Sequence, residues 1–210
     1  ATQEQLLDVI REINANKSIH GCLLFRPLPK QFDDRTIRAA LAPEKDIDGI
    51  TDGSLAGVFT NTAIGYPPCT AQACLEILKY YNIPLSGKRA VVVGRSLVVG
   101  KPAAMMLDRE NATVTLCNSR TQNLPALCKE ADIVVVAMGK MGFIGSDCLR
   151  EGQVVVDVGI HVNEEGKLCG DVRFAEAEPV VDAITPVPGG VGTVTTSVLV
   201  SHVVDAAEKI

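Results

Sequence analysis

The sequence predicts an α/β fold that contains a parallel sheet, and two features support this prediction. Residues 90–93 form an unbroken apolar run, which is typical of a parallel strand covered on both faces. The run ends at Gly94 and leads through a polar turn to Pro102, a residue type that helices accept near their first position. Strand-like and helix-like segments then alternate along the chain. This alternation indicates parallel strands connected by crossover helices.

The amino-terminal part of the chain is predicted to contain two helices and a short strand. Thr2 and Gln5 have the spacing of a capping box, and a helix is expected to follow as far as about residue 14. An apolar strand is predicted at 20–25, before a proline-rich turn. A second helix with an aspartate cap is expected at about 33–41.

The middle of the chain is predicted to contain a long loop and a third helix. Residues 51–66 are glycine-rich and have little periodicity, which indicates a loop. Thr70 is the predicted N-cap of the helix, whose apolar positions recur at helical spacing. A domain boundary is predicted at 82–87.

The remaining elements alternate regularly. They are helix 102–109, strand 112–117, helix 123–130, strand 132–137, a short helix near 146–149 and strand 153–158. A polar turn at 164–167 indicates a hairpin tip, and a final helix is expected at about 193–209. We therefore predict a Rossmann-like parallel-sheet domain that follows the boundary at 82–87.

Composition excludes several classes of function. Hydrophobic residues make up 47% of the 210 residues and charged residues 21%, which is typical of a globular protein with a large core. A net charge of −5 provides no basic surface, so nucleic acid is not an expected partner. The sequence shows no signal-peptide pattern and no apolar run of membrane-spanning length. The seven cysteines and three histidines are scattered without metal-ligand spacing, so we predict no metal site and a reducing, cytoplasmic environment.

The loops after the predicted strands are the expected ligand-binding positions, because ligands of doubly wound sheets bind beyond the carboxyl ends of the strands. Four such loops occur, at 94–96, 118–120, 138–140 and 159–161. A helix start after Gly94 would present unpaired backbone N–H groups that attract phosphate, which predicts a nucleotide site. The Gly-x5-Gly spacing differs from the usual dinucleotide fingerprint, so an ordinary strand–turn–helix crossover is an alternative.

The loop after the second predicted strand indicates which dinucleotide binds. An acidic residue at this point binds the ribose of NAD, and none is present here. Ser119 and Arg120 occupy the loop, and Arg95 follows the first strand. A hydroxyl group and guanidinium groups can bind a 2′-phosphate, so the sequence favours NADP over NAD. The alternative is that both arginines are solvated loop charges.

Two further segments are candidates for substrate binding. Residues 186–192 combine prolines, which stiffen the chain, with glycines, which let a flat ligand approach the backbone. A rigid hinge between domains would explain this composition equally well. Asp48 precedes Gly49, and Asp-Gly is a common turn pair, so Asp48 is a binding residue only if it faces the same cleft.

Four motifs taken together resemble those of one enzyme family. In chain order they occupy residues 43–49 (PEKDIDG), 68–70 (PCT), 93–102 (VGRSLVVGKP) and 185–192 (TPVPGGVG). The chain thereby resembles the bifunctional methylenetetrahydrofolate dehydrogenases/methenyltetrahydrofolate cyclohydrolases. The resemblance implies two α/β domains with a cleft between them. One is a Rossmann-like NADP-binding domain at 82–192, and the other is a folate-binding domain formed by 1–81 and 193–210, to which the last helix returns. The resemblance further implies a homodimer formed through the cofactor domain. It also implies oxidation of 5,10-methylenetetrahydrofolate with NADP, then hydrolysis of the product to 10-formyltetrahydrofolate.

The resemblance also implies roles for individual residues. Asp48 would be the active-site carboxylate that holds the pterin, and Pro188, Gly189 and Gly192 would line the folate side of the cleft. The residues implied to contact NADP are Gly94, Arg95, Ser96, Ser119 and Ile160. Tetrahydrofolate would serve as the substrate carrier.

The chain departs from the family pattern at two places. The family has a tyrosine and a catalytic lysine ahead of the first predicted helix, and no Tyr-x-x-x-Lys pair precedes His20. The chain is therefore expected to be a fragment, or to lack these residues. The family also has a glutamine that supports the lysine, and the alignment puts Phe25 at that position. A phenyl ring cannot make the hydrogen bonds of an amide, which puts the cyclohydrolase step in doubt.

Two other functions compatible with the motifs are a dehydrogenase of the same architecture with another small substrate, and a non-catalytic nucleotide-binding subunit. The first would bind NADP but not folate analogues. The second would bind NADP without turnover.

Overall fold

A computed structural model of the protein describes residues 1–209, and contacts within it define two compact units. The first unit is formed by 1–69 and the segment from Thr196 onward, and the second by Thr70–Thr195. The predicted domains divide at 81/82 and 192/193, so they assign most of the third helix to the other side of the division. The domain limits given from the sequence therefore stay a prediction.

The first unit is helical in the described structure. Its helices are α1 (Gln3–Ala15), α2 (Asp34–Ala40), α3 (Asp52–Thr60) and the later part of α8 (Val191–Glu208), with a 3-10 turn at Pro43–Lys45. The predicted capping box is confirmed, since the Thr2 hydroxyl accepts from the Gln5 N–H and the Gln5 side chain accepts from the Thr2 N–H. One core cluster joins α1 and α2 through Leu7, Ile10, Ile37 and Leu41.

Two predictions for this unit are wrong. The segment 20–25 is not a strand in the described chain. It makes one isolated parallel bridge, between Cys22 and Asp46, and no neighbouring residue extends this pairing. The predicted loop at 51–66 contains α3. The Thr51 side chain caps this helix by accepting from the Ser54 N–H, and Asn61 ends it in the left-handed conformation. Glycines within a short helix had obscured its periodicity.

The second unit contains the predicted parallel sheet. Its five strands are β1 (Arg89–Val93), β2 (Thr113–Cys117), β3 (Ile133–Val136), β4 (Val154–Asp157) and β7 (Ala183–Ile184). They are parallel throughout and lie in the order β2-β1-β3-β4-β7. The α/β fold class is therefore confirmed.

Most of the other elements of this unit match the predicted pattern with small shifts at their ends, whereas helix α7 and strand β7 were not predicted. The helices are α4 (Cys69–Tyr80), α5 (Gly100–Arg109), α6 (Leu124–Glu130), α7 (Phe174–Ala177) and the start of α8, and a 3-10 turn lies at Ser146–Cys148. Helix α4 begins at the last residue of the first unit. Thr70 lies inside α4, so its prediction as N-cap is wrong. The predicted hairpin is confirmed as β5 (His161–Val162) paired antiparallel with β6 (Leu168–Cys169).

The strand order positions the candidate site. The chain leaves β1 for β2 on one side and returns to β3 on the other, so β1 and β3 flank the point at which the strand order reverses. Val93 at the end of β1 pairs with Cys117 and Val136, and Val136 pairs with Asp157. The loops after β1, β2, β3 and β4 therefore lie along one edge of the sheet, where open α/β sheets bind ligands.

Candidate functional site

The turn after β1 depends on close backbone packing. Gly94 has a φ of +124°, which is unfavourable for other residues, and a Cβ at this position would lie 2.1 Å from the Ala137 carbonyl oxygen. A Cβ on Gly100 would lie 2.0 Å from the Gly94 carbonyl oxygen. The first turn of α5 and the loop after β3 thus both contact the backbone at Gly94.

The same turn presents hydrogen-bond donors ahead of α5. Ser96, Leu97 and Val98 are exposed, and no acceptor among the described residues pairs with their backbone N–H groups. The next N–H, that of Val99, donates to the Ser96 hydroxyl at 3.1 Å. Unpaired N–H groups before a helix of ten residues are suited to a phosphate group. These residues therefore fit the diphosphate of a dinucleotide.

The turn after β2 presents the residues that the sequence associated with a 2′-phosphate. The Asn118 side chain accepts from the Arg120 N–H at 3.0 Å, and the Thr121 hydroxyl accepts from the Asn118 N–H at 2.8 Å. These bonds hold the turn in shape while Ser119 and Arg120 remain exposed. Arg95, after the neighbouring strand β1, is exposed as well.

One cavity of the second unit brings together residues predicted for the cofactor and for the folate. It has a volume of about 160 Å³, and its lining includes Ile160, Pro188, Gly189 and Gly192. Ile160 is 63% exposed, and a Cβ on Gly192 would lie 3.7 Å from its Cδ1 atom. The cavity wall is mostly apolar side chain and open glycine backbone, which suits the flat face of a ring system.

Asp48 lies in the first unit, shortly after the 3-10 turn, and is partly buried. Burial raises the pKa of its carboxyl group, whereas hydrogen bonding by the Cys69 thiol lowers it. Gly49 holds the following turn with a φ of +68°, and a Cβ there would lie 2.4 Å from the Pro67 carbonyl carbon. The Asp48 turn is therefore packed directly against the segment that leads to Cys69.

Two side chains beside Asp48 were not predicted from the sequence as parts of a site. The Cys69 sulfur is 3.2 Å from the Ile47 carbonyl oxygen, to which the thiol donates. His202 Nδ1 lies 2.8 Å from the same carbonyl, to which it donates, and 3.5 Å from the Cys69 sulfur. Burial raises the pKa of the Cys69 thiol, so the group remains a protonated donor.

Two buried aspartates, Asp157 and Asp171, were also missed. Asp157 ends the apolar run of β4, and a charge at the end of a buried strand was the signal that could have revealed it. Asp171 follows the β5–β6 hairpin and has no comparable pattern around it. Asp157 also lines the cavity that contains Ile160, and Asp171 accepts from the loop after β3.

Phe25, the residue aligned with the family's glutamine, is 81% exposed in the first unit. An aromatic ring so exposed contributes little to the core of that unit. Its role at this position is therefore not explained by packing within the described chain.

Residues 1–209 contain neither a metal-binding cluster nor a membrane-spanning helix. Within that range no three His, Cys, Asp or Glu side chains are placed to hold a metal ion. No helix in the same range is long and apolar enough to cross a membrane.

Comparison with protein families gives matches to both parts of the chain. Residues 68–210 match the profile of the tetrahydrofolate dehydrogenase/cyclohydrolase NAD(P)-binding domain. Residues 1–48 match the profile of the catalytic domain of the same enzymes.

Individual relatives agree with these profiles. The bifunctional protein FolD of Carboxydothermus hydrogenoformans is 58% identical over 208 residues, which cover 98% of this chain and 72% of that protein. The bifunctional FolD methylenetetrahydrofolate dehydrogenase/cyclohydrolase from Campylobacter jejuni, known from a crystal structure, is 39% identical in sequence. Its structure matches this chain with a TM-score of 0.97, and the match covers 100% of this chain and 74% of that one. The Trypanosoma brucei enzyme, complexed with NADP cofactor and inhibitor, is 33% identical, with a TM-score of 0.92 over 100% of this chain and 73% of that one.

Proposed function

Because the chain belongs to the tetrahydrofolate dehydrogenase/cyclohydrolase family, we propose that it oxidises 5,10-methylenetetrahydrofolate to 5,10-methenyltetrahydrofolate with NADP. The observation that carries this proposal is the cavity that Ile160 shares with Pro188, Gly189 and Gly192. A dehydrogenase must hold its substrate carbon against the nicotinamide ring, and this cavity offers one wall to both. NADP, when bound, supplies the acceptor for the hydride.

We propose that the edge of the sheet holds NADP. The residues assigned to it are Gly94, Arg95, Ser96, Ser119 and Ile160. The free N–H groups before α5 support a diphosphate position near Ser96. The absence of an acidic side chain in the loop after β2, together with the exposed Ser119 and Arg120, supports NADP over NAD.

Replacing Arg95 tests the 2′-phosphate assignment. Arg95→Ala is expected to raise the Kd of NADP about tenfold, because it removes a charge-assisted hydrogen bond, and to change the Kd of NAD by less than about twofold. Isothermal titration calorimetry with both nucleotides measures this preference. Arg109→Ala is the matched control, since Arg109 is an exposed arginine at the far end of α5. Equal losses for NADP and NAD would contradict the assignment.

We assign the folate to Asp48, Pro188, Gly189 and Gly192. The partly buried Asp48 carboxylate can accept paired N–H donors from the edge of a pterin, which is the geometry that gives strong, oriented binding. The Cys69 thiol and the carbonyl held by His202 support the Asp48 turn from behind. These residues orient the substrate, and hydride transfer requires no further acid or base from the protein.

The second family reaction, hydrolysis of the methenyl product to 10-formyltetrahydrofolate, belongs to the proposal, and Phe25 is expected to limit its rate. Phe25→Gln, in a full-length background that carries the family's lysine, is expected to raise the cyclohydrolase rate at least about threefold, because an amide can make the hydrogen bonds that a phenyl ring cannot. The loss of methenyltetrahydrofolate absorbance measures this rate. Phe59→Gln is the matched control, since Phe59 is a similarly exposed phenylalanine of the same unit. An unchanged or lower rate for Phe25→Gln would show that the alignment does not identify the functional position.

Formation of NADPH on addition of 5,10-methylenetetrahydrofolate tests the function as a whole. Tetrahydrofolate, which lacks the methylene group, is the control substrate and should give no NADPH. Binding of NADP without turnover would favour a nucleotide-binding subunit. Binding of NADP without binding of folate analogues would favour a dehydrogenase with another substrate.

A cytoplasmic homodimer formed through the second unit completes the proposal. The exposed Val162 and Leu168 on the β5–β6 hairpin support an interface there, because apolar side chains of a monomer are less often grouped in this way. All seven cysteines are free thiols, which supports a reducing compartment.

A further inference from the structure

The Asp171 carboxylate is completely buried and accepts hydrogen bonds from two separate loops. Its Oδ2 atom accepts from the N–H groups of Met138 and Gly139 at 2.8 and 2.9 Å. Its Oδ1 atom accepts from the Lys140 N–H at 2.8 Å and lies 2.7 Å from Nε2 of His161. One side chain therefore connects the loop after β3 to the hairpin that follows β4.

A second buried carboxylate holds Asp171 in place. Oδ1 of Asp157 accepts from the N–H groups of Gly159 and Asp171, both at 3.0 Å, and its Oδ2 accepts from the Val172 N–H at 3.0 Å. Burial raises the pKa of Asp157, and the three N–H donors act in the opposite direction. Asp157 ends β4, so the segment that carries Asp171 is attached directly to the sheet.

The loops that Asp171 connects are those next to the proposed cofactor residues. The loop after β3 begins at Ala137, whose carbonyl oxygen would be 2.1 Å from a Cβ on Gly94. His161 directly follows Ile160, which lines the cavity shared with the folate residues. The loop after β3 therefore does two things in one conformation. It leaves room for the Gly94 turn, and it points three successive N–H groups at Asp171.

We infer that Asp171 is a positioning residue for NADP, which acts by fixing loop 138–140 and His161 beside the Gly94 turn and Ile160; this inference rests on the proposed function. Three successive N–H groups form a concave anion site, and here a side chain of the protein occupies it. An uncharged replacement cannot accept from all of these donors, so the two loops lose their common anchor. Asp171 itself need not touch the cofactor.

The test compares NADP binding by three variants of the full chain. Asp171→Asn removes the charge and at least one acceptor, and His161→Phe removes only the ring donor. Asp132→Asn is the matched control, because Asp132 also accepts from a backbone N–H, that of Arg89, but at the opposite end of the strands. The Kd of NADP, the KM for methylenetetrahydrofolate and the melting temperature are measured for each.

We expect Asp171→Asn to raise the Kd of NADP about tenfold and His161→Phe about threefold, with less than about a twofold change for Asp132→Asn. The folate KM at saturating NADP should change by less than about twofold in all three. A general structural defect would instead raise the Kd and the KM together, and that result would overturn the inference. So would a Kd for Asp171→Asn no higher than that of the control.

Two further outcomes are also decisive. If Asp171→Asn does not fold, the partly exposed His161 still allows the test, and an unchanged Kd for His161→Phe overturns the inference whereas a threefold rise supports it. If the unaltered protein binds no NADP, the proposed function fails and the inference fails with it. Normal NADP binding by the unaltered protein and by all variants rejects only the role of Asp171.

Discussion

Asp48→Asn is expected to raise the KM for methylenetetrahydrofolate about 100-fold and to leave the Kd of NADP within about twofold. The carboxylate accepts paired donors from the pterin in our proposal, and an amide can accept only one of them. Steady-state kinetics at saturating NADP, with calorimetric titration of NADP, measures both quantities.

The same substitution is expected to leave the folded chain at least as stable at neutral pH. Burial raises the pKa of Asp48, so the folded state favours the protonated carboxyl. The stability from this group is present below the ordinary aspartate pKa of about 3.9 and is lost as pH rises through the raised pKa. The asparagine side chain does not titrate. The melting temperature of the variant should therefore change less than that of the unaltered protein as the pH rises from the ordinary aspartate pKa through the raised pKa of Asp48.

Asp46 is the matched control for Asp48, because it is buried and has a purely structural set of partners. Its carboxylate accepts from the N–H groups of Ile50 and Thr51 and from the Ser54 hydroxyl, at 3.0, 2.7 and 2.7 Å. Asp46→Asn should therefore lower the melting temperature. Loss of stability and of both affinities in Asp48→Asn would instead identify Asp48 as a structural turn residue.

Gly94→Ala is expected to abolish NADP binding and to lower the free energy of unfolding by at least about 3 kcal/mol. A methyl group at this position combines an unfavourable φ with a contact of 2.1 Å to the Ala137 carbonyl oxygen. Relief of that contact requires movement of the loop after β3, which the Asp171 carboxylate holds. Urea unfolding and NADP titration measure the two effects.

Gly87→Ala separates backbone strain from the steric clash. Gly87 has a φ of +75°, and a Cβ added there would have no neighbouring atom within 4 Å. Alanine at this position should therefore cost only roughly 1–2 kcal/mol and preserve NADP binding. If Gly94→Ala behaved like Gly87→Ala, the turn after β1 would not be the tightly packed cofactor position that we propose.

The sheet could be predicted from the sequence because its strands are continuous apolar runs separated by helical segments. Residues 90–93 illustrate this, because a strand that is buried on both faces has apolar residues at every position. Helix α3 could not be predicted, because its length and glycines hide the helical period, and its cap at Thr51 is a single residue. The strand at 20–25 was predicted wrongly, since an apolar run does not show whether a partner strand exists.

The candidate site could be predicted from the sequence only where its residues directly follow a recognisable strand. Gly94, Ser96 and Ser119 follow recognisable strands, and strand ends of a parallel sheet share one edge. Asp171 and His202 make contacts with residues that are far away in the sequence. Asp171 binds Met138, which is 33 residues away, and His202 binds Ile47, which is 155 residues away. A single aspartate or histidine has no spacing pattern, so only the folded chain shows what it binds.

The most direct test of the central claim is the fate of deuterium placed on the methylene carbon of 5,10-methylenetetrahydrofolate. The protein is incubated with this substrate and NADP, and the nicotinamide product is analysed by mass spectrometry. If the chain oxidises the methylene carbon by hydride transfer, deuterium appears in the NADPH formed, and the folate product is the methenyl compound. NADPH without deuterium, or no NADPH although both ligands bind, would contradict the account.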